Sequence, residues 1–207
     1  MVLKGENESL EFKRKANFPE KIVKEIVAFA NTNGGNLLIG VDDNGEVTGI
    51  KNKEEDLYIL SQAIKNYCIP DIDYNIDIVP LSEKRAVLNY SIFESKNKPH
   101  FVTENALGNQ KKAYLRVKDR SIQASREMVQ ILKKRELIKD QKVYLGKKEK
   151  ILMNYLGQYN EITLSKFSEI ATINNSVASK TLVWLVLANI LEIEAREDED
   201  IYRQKNI

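Results

Sequence analysis

Residues Ala28–Gly45 read AFANTNGGNLLIGVDDNG, and this stretch decides the fold of the first half of the chain. Upstream of it, Ile22, Val23, Ile26, Val27, Phe29 and Ala30 recur every three to four residues behind Pro19. That spacing predicts an amphipathic helix, with the proline in its first turn. The helix ends across Asn31–Gly35, where Gly34 or Gly35 can take a left-handed cap without a Cβ clash. Asn36–Val41, NLLIGV, is an apolar run of strand length, and Asp43-Asn44-Gly45 turns the chain into a second expected strand over Glu46–Ile50. The glycine pair therefore feeds a buried strand. Phosphate cradles sit at helix N-termini instead, and the GxxxxGK[ST] pattern occurs nowhere, Gly146-Lys147 included. This leaves the aspartates as the chemically interesting part of the stretch.

Working outward, Ser9–Lys13 alternates around Leu10 and Phe12 as a short strand. A helix is expected over Glu54–Tyr67, with an acidic start that suits the helix dipole. Tyr74–Val79 and Ala86–Phe93 are expected as an antiparallel pair, and Ala113–Val117 as a last strand. Ser125 is a good N-cap for a basic helix through about Lys139. The remainder predicts helices over Glu149–Leu156, Thr163–Ala171 and Ser176–Ala188, then a hairpin of Leu191–Ala195 with Asp200–Arg203. Three helices with a short turn between the last two, followed by a hairpin, describe a winged helix-turn-helix. The expected organisation is residues 1–124, a basic linker helix over 125–148, and the helical module over 149–207.

Composition bounds the function. Apolar residues make up 43% and charged residues 30% of the 207 positions, as in an ordinary globular protein. No apolar run approaches the roughly 20 residues needed to span a bilayer, and the N-terminus lacks the apolar core of a signal peptide. A cytoplasmic location, with no membrane partner, is the expectation. Cys68 is the sole cysteine, which excludes a disulfide framework and assigns it to the core. His100, the sole histidine, follows Pro99 and is expected on a surface loop. The net charge of +2 is uneven: residues 1–124 balance to zero, residues 125–148 carry +5, and residues 149–207 carry −3.

Glu6-Asn-Glu-Ser-Leu-Glu11-Phe-Lys13, AFANTNGG and LLIGVDDNGEVTGI together resemble the Schlafen-type AlbA-like domain, often described as DNA-binding. The resemblance runs over about Glu6–Arg120. The family pattern continues with Arg-x-Gly, where this chain has Arg116-Val117-Lys118. The resemblance implies an α+β fold with an AlbA-like mixed sheet and packed helices. It also implies one of two activities. Many bacterial members are attached to helix-turn-helix modules and act as regulators. Eukaryotic members use three acidic residues as a divalent-metal site that cleaves structured RNA. The matching positions here are Glu6, Glu11 and either Asp42 or Asp43, which would hold Mg²⁺ or Mn²⁺ against a scissile phosphate. No cofactor is required by the regulator reading.

Ile173–Leu191 resembles the recognition helix and following strand of winged-helix transcription regulators. Ser176, Ser179 and Lys180 are expected on its outer face, within reach of DNA, whereas Trp184 belongs with the core. The acidic run Glu194–Asp200, EAREDED, opposes a phosphate backbone, so the module could instead bind protein or a second copy. Candidate nucleic-acid contacts elsewhere are Lys13, Arg14 and Arg116 in the first part, and Lys133, Lys134 and Arg135 on the basic helix. Three functions stay open: a nucleic-acid-binding transcriptional regulator, a metal-dependent endoribonuclease of the Schlafen type, and a dimeric scaffold using the acidic module for protein contacts. Partners on these readings are DNA or structured RNA and a homo-oligomeric copy of the chain.

Overall fold

The computed structural model describes residues 3, 5–103, 110–135 and 146–205. The fold is α+β and divides into two compact units, Met1–Gln123 and Ala124–Ile207.

The first unit is built on a four-stranded sheet of order β1-β2-β5-β4. Its strands are β1 (Leu10–Lys13), β2 (Gly35–Ile39), β4 (Tyr74–Ser82) and β5 (Arg85–Ile92). β1 and β2 run parallel, joined by helix α1 (Pro19–Asn31), while β2–β5 and β5–β4 are antiparallel. The sheet is thus mixed. Alternation along each strand separates two apolar faces. Leu37, Ile39, Leu88 and Tyr90 pack with α1 and with helix α2 (Lys53–Tyr67) through Ile22, Ile26, Phe29 and Leu60. Leu10, Phe12, Leu38 and Val87 form a smaller cluster with Val41. Each fully buried side chain of this size contributes about 1.5–3 kcal/mol, so the larger cluster dominates. The strand expected over Glu46–Ile50 is reduced to single bridges, Val41 to Val47 and Ile50 to Ala86, because the turn is followed by Gly49 at φ +64° rather than by extended backbone.

Shorter strands complete the unit, among them β8 (Tyr114–Val117), the strand expected over Ala113–Val117. β3 (Cys68–Ile69), β6 (Phe101–Thr103) and β7 (Lys111–Lys112) form one small sheet, and β8 and β9 (Arg120–Gln123) form a hairpin. Lys118 in that hairpin has φ +58°, a conformation that suits glycine. This is the position at which the resembled family pattern has glycine, and here the left-handed conformation is taken by lysine.

The second unit contains α3 (Arg126–Lys134), α4 (Lys147–Tyr159), β10 (Glu161–Ile162), α5 (Leu164–Ala171), α6 (Asn175–Leu187), β11 (Leu191–Glu194) and β12 (Ile201–Gln204). Its three strands lie in the order β10-β12-β11, all antiparallel. Leu152, Leu156, Phe167, Leu182, Leu185 and Tyr202 make its core, and Trp184 packs against it partly buried. The helices are capped where their sequences allow it. The side chains of Ser125, Thr163 and Asn174 accept hydrogen bonds from Met128 N, Lys166 N and Val177 N, each worth about 1 kcal/mol. Thr172 and Asn160 end helices in left-handed conformations. Residues 136–145, over which the basic helix was expected to end and the linker to continue, lie outside the described residues.

Candidate functional site

The parallel pairing of β1 with β2 brings the two sequence motifs together. Both strands end at one edge of the sheet, where Gly40 N donates to Lys13 O at 2.7 Å. The segments that leave this edge carry Arg14 and Asp42, whose Nε and Oδ1 are 3.4 Å apart. Glu6 is drawn in because its Oε1 accepts from Phe12 N at 2.9 Å. Burial is the main cause that raises the Glu6 carboxyl above its ordinary value, and the charges of Glu11 and Asp43 add to it. Glu6 therefore stands in the field of both Glu11 and Asp43.

Glu11 is placed differently. It alternates with Leu10 and Phe12, so it points to the α1 side of the sheet, where it is buried. There it meets Arg116, whose Nη2 lies 2.6 Å from Glu11 Oε2 and whose Nη1 lies 2.8 Å from Glu25 Oε2. Arg116 also donates to Asn7 O and Leu10 O, and its guanidinium sits 5.0 Å from the centre of the Phe29 ring. Ser121 Oγ donates to Glu25, and Lys13 Nζ pairs with the other Glu11 oxygen. Burial, followed by the charge of Glu11, raises the Glu25 carboxyl, while Ser121 and Arg116 pull it down. A fixed five-donor fork suits this set of acceptors, which a lysine could not match.

Two expectations change here. Arg116, expected to contact nucleic acid, is buried, because the carboxylates of Glu11 and Glu25 and the carbonyls of Asn7 and Leu10 consume its donors. Glu11 likewise has both oxygens committed to cations. A hard divalent ion needs free carboxylate oxygens, and among the described residues no three His, Cys, Asp or Glu side chains are grouped to hold one. The donor set of Glu6, Glu11, Asp42 and Asp43 does not fit Mg²⁺ or Mn²⁺ in this arrangement. Lys13 is half-buried against Glu11, and Arg14 is exposed.

The AFANTNGG motif is structural. Asn31 is buried and donates through Nδ2 to His100 O and Tyr114 O at 2.9 and 3.0 Å, while its Oδ1 accepts from His100 N at 2.7 Å. Thr32 Oγ1 accepts from Arg116 N at 2.9 Å. Gly34 has φ +74°, and a Cβ there would lie 2.7 Å from Ile92 O; one on Gly35 would lie 2.4 Å from the Phe29 ring. The motif thus docks the end of α1 onto β8 and β5 and positions Arg116. His100 corrects a third expectation. It is buried rather than on a surface loop, with Nδ1 2.9 Å from Pro70 O and Nε2 2.6 Å from Ser95 Oγ. Sequence reasoning missed Asn31, Glu25 and Ser121. The first was visible as a polar residue on the apolar side of a helix.

In the second unit, Ser176 and Lys180 are exposed on α6, as are Lys133, Lys134 and Arg135 at the end of α3. Ser179 is not. The basic helix, expected as a linker, packs on α6 within this unit, and Ser179 Oγ donates to Glu127 on α3. Ser179 is buried because α3 covers that side of the helix. The acidic run is partly neutralised in place. Glu194 pairs with Arg196 and Arg203, which hold its carboxyl below the usual range, and Arg203 also pairs with Glu161. Asp200 is buried, accepting from Ser125 Oγ, and burial raises its carboxyl. No single helix among the described residues is long and apolar enough to cross a membrane.

Among solved structures, the crystal structure of the DIP2311 protein from Corynebacterium diphtheriae is similar at 21% sequence identity and a TM-score of 0.43. The similarity covers 64% of this chain and 25% of that one, so this chain spans about a quarter of that protein's length. A sequence model of the family described as Schlafen, AlbA_2 matches residues 6–125, more than half of the chain and every residue of the Glu6–Arg116 cluster. The chain belongs to the Schlafen AlbA_2 family.

Proposed function

We propose that the protein binds nucleic acid without cleaving it and serves as a bacterial-type transcriptional regulator. Family membership associates the chain with nucleic-acid binding. The observation that carries binding over hydrolysis is the state of Glu11, whose two oxygens are taken by Arg116 and Lys13. A carboxylate used this way braces the sheet edge and leaves Arg14 and its neighbours to meet phosphate. The regulator part rests on the second unit, which we take to be a winged helix-turn-helix. Its order, α4-β10-α5-α6 and then the β11–β12 hairpin, supports that reading, with α6 presenting Ser176 and Lys180. The internal pairing of Glu194 and the burial of Asp200 lower the repulsion that the EAREDED run would otherwise exert. Regulators of this kind commonly read two half-sites as dimers, and a homodimer in the cytoplasm is part of the proposal.

A second reading is the metal-dependent endoribonuclease that the Schlafen resemblance implies for Glu6, Glu11 and Asp43, which the ion pairing of Glu11 opposes. A gel experiment separates the two. The full chain is incubated with duplex DNA, structured RNA and single-stranded RNA, with Mn²⁺ or with EDTA. Shifted bands without cleavage are expected. Mn²⁺-dependent cleavage that disappears in Asp43→Asn would replace the regulator reading with the nuclease. Neither shift nor cleavage would leave the dimeric scaffold, with the acidic module as its protein contact.

A further inference from the structure

Residues 13–24 read KRKANFPEKIVK, five cations against one acid, within a unit whose formal charges balance. Phe18 stands in the middle of this run and is 64% exposed. Its backbone is left-handed, φ 54° and ψ 59°, and it precedes Pro19. A bulky side chain rarely adopts that conformation, and a following proline restricts the residue further. The cost is of the order that folds accept only where something depends on it.

Among the described residues, little within the fold repays that cost. Phe18 occupies the N-cap of α1 but makes no side-chain cap hydrogen bond, where serine, threonine, aspartate or asparagine would. Glycine or asparagine would take the left-handed turn more cheaply. Little of the ring is buried in return. The surrounding backbone is nonetheless firmly held. Phe18 O accepts from Lys21 N at 2.8 Å, and Ala16, which is buried, donates its N–H to Asp56 Oδ1 at 3.0 Å. The ring is therefore held outward by a rigid support.

Its surroundings are polar. Lys15, Asn17, Glu20 and Lys21 are all exposed, and Lys21 Nζ lies 5.0 Å from the centre of the Phe18 ring. An apolar protein surface would find one aromatic among charges. A nucleobase would find a stacking face beside cations, the combination that single strands use. Because β1 and β2 are parallel, this segment leaves the sheet at the same end as the Asp42–Gly45 turn, next to the Arg14–Asp42 contact.

We infer that Phe18 is a stacking platform for an unpaired base of a single-stranded nucleic acid, with Lys15 and Lys21 taking the adjoining phosphates. The inference rests on the nucleic-acid reading above and adds a single-stranded ligand for the first unit, beside the duplex half-sites assigned to the second. Bases within a duplex are stacked on one another and cannot lie on a side-chain ring without leaving the stack. A single strand offers its bases at no such cost.

Fluorescence anisotropy on the full chain tests this with four probes: oligo(U) RNA, oligo(dT) DNA, an abasic strand of equal length, and a duplex of equal length. Phe18→Ala should weaken binding of oligo(U), oligo(dT) or both about tenfold, the usual scale for one stacked base. It should leave the abasic strand and the duplex unchanged. Phe18→Trp should keep or tighten single-strand binding, and circular dichroism should show both variants folded. Lys21→Gln should reduce the salt dependence by about one phosphate contact on every strand, a change that Phe18→Ala should not produce. The RNA and DNA arms show which strand is preferred. Equal affinities of wild type and folded Phe18→Ala for all four probes would overturn this inference alone. Absence of binding by wild type to any probe would overturn the nucleic-acid reading together with it.

Discussion

Arg116→Ala tests the central brace of the first unit. The arginine side chain is 1% exposed, and it faces Glu11 and Glu25 at 7% and 18%. Removing it leaves two buried carboxylates without their main counter-charge, along with the carbonyls of Asn7 and Leu10 without these donors. Breaking a buried ion pair from one side costs about 3–5 kcal/mol, and the second carboxylate places this variant toward the upper end. With a urea slope of about 2 kcal/mol/M, the midpoint should fall by roughly 2 M. Urea unfolding followed by far-UV circular dichroism measures the loss, and fluorescence of Trp184, the sole tryptophan, follows the second unit in the same samples. The pH dependence supplies a further check. Burial and the charge of Glu11 raise the Glu25 carboxyl above its ordinary 4.5, with Arg116 opposing them. Loss of the arginine raises it further. A carboxyl raised by folding binds its proton more tightly in the folded state. Its penalty is therefore absent below the unfolded value and grows as pH rises through the folded one. The deficit of Arg116→Ala should be largest at neutral pH and shrink toward pH 4.5. Arg116→Met combined with Glu11→Gln should recover part of it. A loss below about 1 kcal/mol at neutral pH, or a deficit that grows on acidification, would refute the argument.

Asn31→Ala removes three hydrogen bonds to buried backbone groups and should cost about 2–4 kcal/mol in the same urea assay; a cost near zero would mean that those groups find water. Gly35→Ala places a methyl 2.4 Å from the Phe29 ring and should cost about 1–3 kcal/mol by overpacking, visible as a lower thermal midpoint. Burial raises the Asp200 carboxyl above its ordinary 3.8, so its contribution weakens stability as pH rises from that value through the folded one. Asp200→Asn should flatten the pH dependence of the Trp184 unfolding transition across this window, and an unchanged slope would count against it. The Cys68 thiol is buried and pushed up to about 12, mainly by burial; it should resist a disulfide reagent at mildly alkaline pH until urea unfolds the chain, whereas rapid labelling of folded protein would contradict the burial.

Elements with a long periodic signal were legible from residue type. Helix α1 was visible in the spacing of Ile22, Ile26 and Phe29, and α6 in Leu182 and Leu185, because one face of each helix must be apolar to reach a core. The N-cap Ser125 and the left-handed Gly34 were legible for equally local reasons. The two-residue strands β3, β7 and β10 were not, since alternation has no length over which to show itself. His100 and Ser179 were placed on the surface because polar residues usually are. Each is buried through a partner distant in the chain: the His100 ring by Pro70, its backbone by Asn31, and Ser179 by Glu127.

The candidate site divides in the same way. That Glu6, Glu11, Asp42, Asp43, Lys13 and Arg14 belong to one region follows from their lying on or beside two apolar strands joined by one helix, a connection that pairs such strands in parallel. Which of them is free to act does not follow. Arg116 lies 105 residues from Glu11, and no local pattern announces that its guanidinium fills the space between β1 and α1. Residue type and spacing determined the helices, the turns, the family and the end of the sheet where charge collects. The tertiary structure alone decided that Glu11 is neutralised by a buried arginine and that Phe18 is held out among lysines, because burial and ion pairing depend on distances in space that the order of residues does not carry.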